Sequence, residues 1–340
     1  MSATTSREVR LRARPRGVPM LDDFEIAETP MPEPREGEAL VRTIYMSVDP
    51  YMRGRMTGVR SYVAPFEVGE PLSGGAVGQV VESRAPELAP GDFVLSQLGW
   101  REFAAAPTRA LERIDPGPAP LAAHLGILGM PGFTAWYGMR EIGRPRSGET
   151  VFVSAASGAV GSLAGQLATR WGARVLGSVG TEDKAAHVRD ELGFDGAFCY
   201  RTTPPREALA ALAPDGIDVY FDNVGGEHLE AALHHLRDFG RIVACGMISR
   251  YNDAAPAPGP SNLFLVVTRR LLLQGFIITD HWGRRGEFLA EVAPLVARGE
   301  LRWRETVAEG IEAAPGALLK LFAGKNLGKM LVRLAPDPTR

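Results

Sequence analysis

Residues 151–161 read VFVSAASGAVG, an apolar run that stops abruptly in alanine, serine and glycine. Taken alone, the stretch is either a phosphate cradle or a tight turn between a strand and a helix, because small-residue turns follow apolar runs in many parallel-sheet proteins. Its surroundings narrow the choice. TVFVSAA reads as a buried strand, and VGSLAGQLATRW has the apolar spacing of an amphipathic helix. Between them, A-S-G-A-V-G at 156–161 matches the spacing G-x-G-x-x-G, with Ala156 first, Gly158 second and Gly161 third. A glycine in the middle place lets backbone approach a pyrophosphate lying over the N–H groups of the helix start, and Gly161 allows close packing of helix on strand.

Further along, ARVLGSV precedes the helical TEDKAAHVRDEL, and IDVYFDNVGG precedes the helical GEHLEAALHHLRDF. GRIVACGMIS follows, VTRRLLLQGFIITDHW adds another strand, and LAEVAPLVARGE adds another helix. Strands alternating with helices imply parallel βαβ units, whose doubly covered strands are continuously apolar. Residues 128–300 are therefore expected to form a doubly wound α/β sheet of the Rossmann type. Residues 1–127 are instead dense in Pro and Gly, with short runs such as ALVRTIYMSV, AVGQVVES and DFVLSQ, the pattern of a β-rich barrel or sandwich-like domain. In the tail, 301–340, GALLKLFAGKNLGKMLVRL reads as a helix, a Gly-bounded loop and a short strand placed to return to the first domain.

Bulk properties limit the function. A length of 340 residues suits two domains. With 38 basic and 40 acidic residues, there is no electrostatic reason to expect nucleic acid or an anionic membrane as partner. The N-terminus lacks a signal-like apolar core and no segment is long and apolar enough to span a bilayer, which places the expected location in the cytoplasm. Only Cys199 and Cys245 are present, and the six histidines lack ligand spacing, so no metal site is expected.

In NAD sites an acidic residue about 20 positions beyond the glycines holds the ribose hydroxyls. Here the second strand runs out as VLGSVGTEDK, with Gly180 and Thr181 at the tip and Lys184 one turn into the next helix. A hydroxyl and a cation, with no carboxylate at the tip itself, favour the 2′-phosphate of NADPH.

Several ordered stretches carry a family resemblance: MSVDPYMRGRM, SYVAPFEVGEPLSGGAVGQVVES, GMPGFTAWYG, VSAASGAVGSLAGQLA, FDNVGG, GRIVACGMISRYN and KNLGKMLV. From about residue 40 to 333 the chain resembles the zinc-independent medium-chain dehydrogenase/reductases, in the branch of leukotriene hydroxydehydrogenase/prostaglandin reductases and plant and bacterial double-bond reductases. The resemblance implies a GroES-like catalytic domain, a Rossmann NADP-binding domain, an active site in the cleft between them, and a homodimer joined through the Rossmann domain at LLLQGFII. It also implies hydride transfer from NADPH to the β-carbon of an α,β-unsaturated carbonyl.

Carried over by position, Lys184 and Tyr200 face the 2′-phosphate, and Ala156, Gly158, Ala159 and Val160 lie along the pyrophosphate. Asn223, Cys245, Gly246, Met247, Ile248, Ser249, Phe276, Ile277, Ile278 and Asn326 line the remainder, with Met130 and Thr134 near the nicotinamide. Zinc-dependent relatives place cysteine and histidine ligands in the first domain, where this chain has Ser47 and no histidine before His124. Negative charge building on the substrate oxygen must then meet other donors: tyrosine hydroxyls, a ribose hydroxyl of the cofactor, or water. Tyr251 is the first choice, with Tyr51 and Tyr62 as further candidates beside a purely packing role for each. Arg53 and Arg55 are read either as attractors of an anionic substrate group or as surface or interdomain ion pairs, and NDAAPAPGPSN as part of a pocket lid. Two alternatives to an enone or enal reductase stay open: a quinone reductase, and a cofactor-binding protein without turnover. The natural substrate is not legible.

Overall fold

The protein is described by a computed structural model covering residues 4–339 apart from Pro118 and Pro256. It divides into two compact units: residues up to Leu125 together with those from Glu305 onward, and Gly126–Arg304.

The first unit is built on a seven-stranded sheet. Its long strand Glu38–Ser47 is flanked by Ala76–Ser83 and by the C-terminal strand Lys329–Arg333, both antiparallel to it. Leu331 pairs with Ser47 and Val332 with Met46, so the tail supplies a strand next to the one that leads into the DPYMRGRM loop. Core residues on one face include Val9, Met46, Met52, Trp100, Leu318 and Met330. A separate antiparallel hairpin, Thr5–Leu11 with Phe24–Pro30, contributes Val9 and Leu11 to that core. Its strands are rich in Arg and Glu, and this conceals their apolar alternation in the sequence.

The second unit holds the parallel sheet. Its elements are β1 (Thr150–Val153), α1 (Gly161–Arg170), β2 (Arg174–Val179), α2 (Glu182–Asp190), β3 (Gly196–Cys199), α3 (Pro205–Leu212), β4 (Ile217–Asp222), α4 (Gly226–His235), β5 (Leu236–Ala244) and β6 (Leu272–Gly275). The strand order is β3-β2-β1-β4-β5-β6, with every pairing parallel. This is the doubly wound order whose direction reverses between β1 and β4, the place where such sheets bind ligands at their carboxyl ends. Val151, Phe152, Val153, Val219, Tyr220 and Phe221 are all fully buried, the physical reason for the continuous apolar runs. Phe152 stacks on Tyr220 at 4.9 Å between ring centroids.

Two stretches depart from the sequence reading. GEHLEAALHHLRDF is helical only to His235; Leu236 turns extended (ψ 134) and buries as the start of β5. Leu236 and Phe239 fall at helical spacing, but Phe239 adopts φ 64 and stays exposed, so the apparent period comes from a kinked strand. VTRRLLLQGFIITDHW forms a strand only at Leu272–Gly275, followed by 3-10 turns at Ile278–Arg284. No helix among the described residues is long and apolar enough to cross a membrane.

Candidate active site

The turn after β1 is held by backbone. Ser154 N–H donates to Phe221 O at 3.1 Å, Ala156 N–H to Ser178 O at 3.0 Å, and Gly158 N–H to Ala155 O at 2.9 Å, with Ala155 itself at φ 50. The small residues here have distinct steric reasons. A Cβ on Gly161 would come within 2.5 Å of Ala155 O, and one on Gly177 within 2.7 Å of Ala156 Cβ, so both glycines and Ala156 are needed to close the turn. A Cβ on Gly158 would meet only Ala155 O, at 3.2 Å, and Gly158, Ala159 and Val160 are half-buried. The N–H groups of Ala159, Val160 and Gly161 have no acceptor among the described residues. A side-chain-free position beside a row of unpartnered N–H groups at the start of a ten-residue helix fits a pyrophosphate.

At the next strand tip, Thr181 caps α2, its Oγ1 accepting from Lys184 N–H at 3.3 Å. Parallel pairing of Cys199 with Val179 brings Tyr200 beside Gly180, where a Cβ would stand 3.4 Å from the phenol oxygen. Tyr200 also meets the buried His228 edge-on at 5.1 Å. Burial depresses the His228 pKa to about 4, so this imidazole is neutral. Lys184 is half-buried, and its pKa is lowered by burial and then by the nearby Arg201, whose guanidinium lies 6.0 Å from the Tyr200 ring centroid. Arg201 is absent from the sequence-based set; the only signal for it was a cation next to Tyr200.

Asp222, at the carboxyl end of β4, is fully buried. Its Oδ1 accepts from Tyr220 Oη (2.7 Å), Val224 N–H (2.9 Å) and Gly225 N–H (2.7 Å), and burial raises its pKa. Asn223 ties this tip to the cradle strand, its backbone N–H donating to Ser154 Oγ at 2.9 Å and its side-chain amide to Ser154 O at 2.8 Å. The backbone N–H groups of Cys245 and Gly246 donate to Asp222 O. Burial, and then Asp222, push the Cys245 thiol up to about 12.

Cys245, Gly246, Met247, Phe276 and Ile277, with Ala244, Gly275 and Asp280, line a depression of about 520 Å³ at the carboxyl ends of β5 and β6. Ile278 is buried, while Ile248 and Ser249 lie in the adjoining 3-10 turn, with Ser249 Oγ bonded to Val224 O at 2.6 Å. Tyr251 closes that turn, half-buried, its hydroxyl accepting from Met247 N–H at 3.4 Å. Pro256 of the adjacent NDAAPAPGPSN loop lies outside the described residues. Met130 and Thr134 sit on the helix Met130–Tyr137, where Thr134 Oγ1 donates to Met130 O at 2.8 Å. His281 stacks on Tyr137 at 4.0 Å and Trp282 meets Phe133 edge-on at 6.0 Å.

In the first unit, Tyr51 precedes the one-turn helix Met52–Arg55. Burial first, and then Asp49, lift its hydroxyl pKa well above the usual phenol value, with Arg55 acting in the opposite direction. Tyr62 is 58% exposed. Arg53 is buried and donates to Gly17 O at 2.8 Å, while Arg55 donates to Ala64 O at 2.9 Å and to Ser73 Oγ at 3.1 Å. Ser47 Oγ donates to Asp49 Oδ2, and the buried Lys329 ammonium joins Asp49 Oδ1 (3.0 Å), Val48 O (2.8 Å) and Met330 O (3.0 Å). The position of the relatives' metal ligand is thus part of a buried polar tie, and no metal-ligating cluster occurs among the described residues. Asn326 donates within its own loop to Gly328 O at 2.8 Å.

Comparison with known proteins covers nearly the whole chain. Family profiles described as the N-terminal domain of oxidoreductase and as zinc-binding dehydrogenase match residues 7–114 and 159–298. The chain is 41% identical over 332 residues to the NADPH-dependent curcumin reductase of Escherichia coli K12, covering 96% of each. It is also 41% identical over 340 residues to the NADP(+)-dependent 2-alkenal reductase of Nicotiana tabacum, covering 98% of each. The crystal structure of CurA from Vibrio vulnificus in complex with NADPH is 40% identical, with a TM-score of 0.93 over 97% of this chain and 99% of that one.

Proposed function

Because this chain belongs to the medium-chain dehydrogenase/reductases, in the zinc-independent branch of double-bond reductases, we propose that it reduces the carbon–carbon double bond of an α,β-unsaturated ketone or aldehyde. It is an NADP-dependent oxidoreductase. The observation that carries the reading is 41% identity along nearly the whole chain to a curcumin reductase and to an alkenal reductase, and the small-residue β1–α1 turn, with its helix-start N–H groups, supports it.

NADPH, when bound, supplies the hydride that adds to the β-carbon, while the electron pair of the double bond moves through the α-carbon onto the carbonyl oxygen. On this reading the N–H groups of Ala159, Val160 and Gly161 hold the pyrophosphate, and Thr181, Lys184 and Tyr200, joined by Arg201, read the 2′-phosphate. Asn223, Asn326, Met130, Thr134 and the 245–249 and 276–278 segments border the rest of the cofactor. Hydroxyls of Tyr51, Tyr62 or Tyr251, together with a ribose hydroxyl of the cofactor, donate to the developing oxyanion, the task that a metal performs in zinc-dependent relatives. The raised pKa of Tyr51 keeps its proton in place at neutral pH, which makes it a hydrogen-bond donor and leaves solvent to protonate the α-carbon. The elevated Cys245 pKa has a protective consequence: a thiolate beside the depression would attack the β-carbon of an enone, whereas the thiol is a poor nucleophile.

Two further parts belong to the same proposal. The unpaired edge strand β6, with all four residues exposed, joins a second copy of the chain to form a homodimer. Two free cysteines suit the reducing cytoplasm. The test is NADPH oxidation, followed by absorbance with enones, enals, quinones and simple ketones, and repeated with NADH. Turnover of enones or enals with NADPH preferred is the expected result. Consumption only with quinones, or none with any acceptor, would refute it.

A further inference from the structure

Tyr200 follows the last residue of β3 with 38% of its surface exposed, and its hydroxyl makes no hydrogen bond among the described residues. Backbone and packing alone hold such a ring. Its backbone N–H donates to Val179 O at 3.0 Å, Gly180 leaves room beside the phenol oxygen, and the Arg201 guanidinium stands 6.0 Å from the ring centroid. The ring that meets it, His228, is by contrast only 4% exposed and lies edge-on, with centroids 5.1 Å apart and planes at 79°. His228 is fixed in the first turn of α4: its backbone N–H donates to Gly225 O at 3.2 Å, and Gly225 N–H donates to Asp222 Oδ1 at 2.7 Å. Leu229, Ala232 and Leu233 of α4 share one apolar core with Phe198 of β3, so the elements that carry the two rings are packed together. The His228 Nε2 is buried without a hydrogen-bond partner. A buried polar atom left unsatisfied works against stability, and an apolar side chain of similar size would avoid that loss. Folding therefore does not explain an imidazole here, whereas its contact with Tyr200 gives it a task.

We infer that His228 is a positioning residue for cofactor choice, its ring holding the Tyr200 side chain beside Gly180 so that the phenol hydroxyl stays at the strand tip where the 2′-phosphate of NADPH is read. The inference rests on the reading of Tyr200 as a phosphate contact and adds to it a residue that acts through Tyr200. An exposed tyrosine that is ordered only when the cofactor arrives loses rotamer freedom at that moment, and a ring already held in place has lost it beforehand. NADH has no 2′-phosphate for the hydroxyl to meet, so the gain falls on NADPH alone. Because the imidazole is neutral, it adds no charge to the site and its contribution is one of shape.

The test compares His228→Leu, His228→Phe, Tyr200→Ala and the double variant His228→Leu/Tyr200→Ala in the full-length protein. Two measurements are made: the affinities of NADPH and NADH by fluorescence titration, and thermal unfolding without cofactor. His228→Leu fills the space with no ring, so its melting temperature is expected to hold or rise while its preference for NADPH over NADH falls by about threefold to tenfold, the range of one aromatic pair. His228→Phe restores a ring edge and stays within about twofold of the wild-type preference. In the Tyr200→Ala background His228→Leu brings no further loss. An unchanged preference in His228→Leu, equal losses of both cofactors, a loss that persists without Tyr200, or a His228→Leu protein that does not fold would each overturn the inference. Tyr200→Ala separates this from the reading beneath it. A preference that survives Tyr200→Ala refutes Tyr200 as a phosphate contact, and the inference with it, whereas one that falls in Tyr200→Ala but not in His228→Leu refutes the role of His228 alone. Neither measurement depends on turnover, so the identity of the substrate does not enter.

Discussion

Lys184 is a half-buried cation with another cation, Arg201, as its neighbour, and both burial and that neighbour lower its pKa. Burial and a like charge both disfavour the protonated amine, and a phosphate placed beside the two cations favours it. Lys184→Ala is therefore expected to weaken NADPH by about tenfold to a hundredfold, the loss of one charge-assisted hydrogen bond, and NADH by no more than about twofold. Titration of cofactor fluorescence checks this, and equal losses for both cofactors would remove Lys184 from the phosphate site. Lys184 stood out in the sequence because a lysine one turn into the second helix follows a tip without a carboxylate. Arg201 did not, because its proximity to Lys184 arises only when Cys199 pairs with Val179 across two parallel strands.

The β1–α1 turn separates glycines that serve folding from one available to a ligand. Gly161→Ala drives a Cβ into a backbone oxygen at 2.5 Å and is expected to destabilise the protein by about 1–3 kcal/mol, the cost typical of overpacking. Gly158→Val meets that oxygen at 3.2 Å and projects its branches from a half-buried position, so it should fold near the wild-type melting temperature yet bind NADPH at least about a hundredfold more weakly. Thermal unfolding with and without NADPH distinguishes the two. Loss of folding in Gly158→Val, or normal binding, would defeat the assignment. Spacing in the sequence indicated both glycines but assigned the steric need by analogy, and the distances to Ala155 O show which one the backbone requires. Element ends were less legible. The junction of α4 and β5 has no loop, so apolar positions carry the helical period past the point where Leu236 turns extended.

At the scale of the molecule, β6 ends the parallel sheet with an open edge, and Leu272 and Leu273 remain 46% and 39% exposed on it. An apolar edge of this kind is a template for strand pairing. Leu273→Pro removes a backbone donor and should convert a dimer in light scattering into a monomer that still binds NADPH; a monomeric wild-type protein would discard the proposed assembly. The amino-acid sequence alone determined the class of fold, because strands buried on both faces must be apolar throughout and helices between them must be amphipathic. It also carried the family, through short motifs in order, and pointed to a cradle through glycine spacing. Only the tertiary structure decided what surrounds each candidate side chain: the tie of Asn223 to Ser154, the cation beside Lys184 and the buried Lys329–Asp49 pair. These are contacts between residues far apart in the chain or on separate strands and loops. They are fixed by strand register and packing, to which local periodicity is blind.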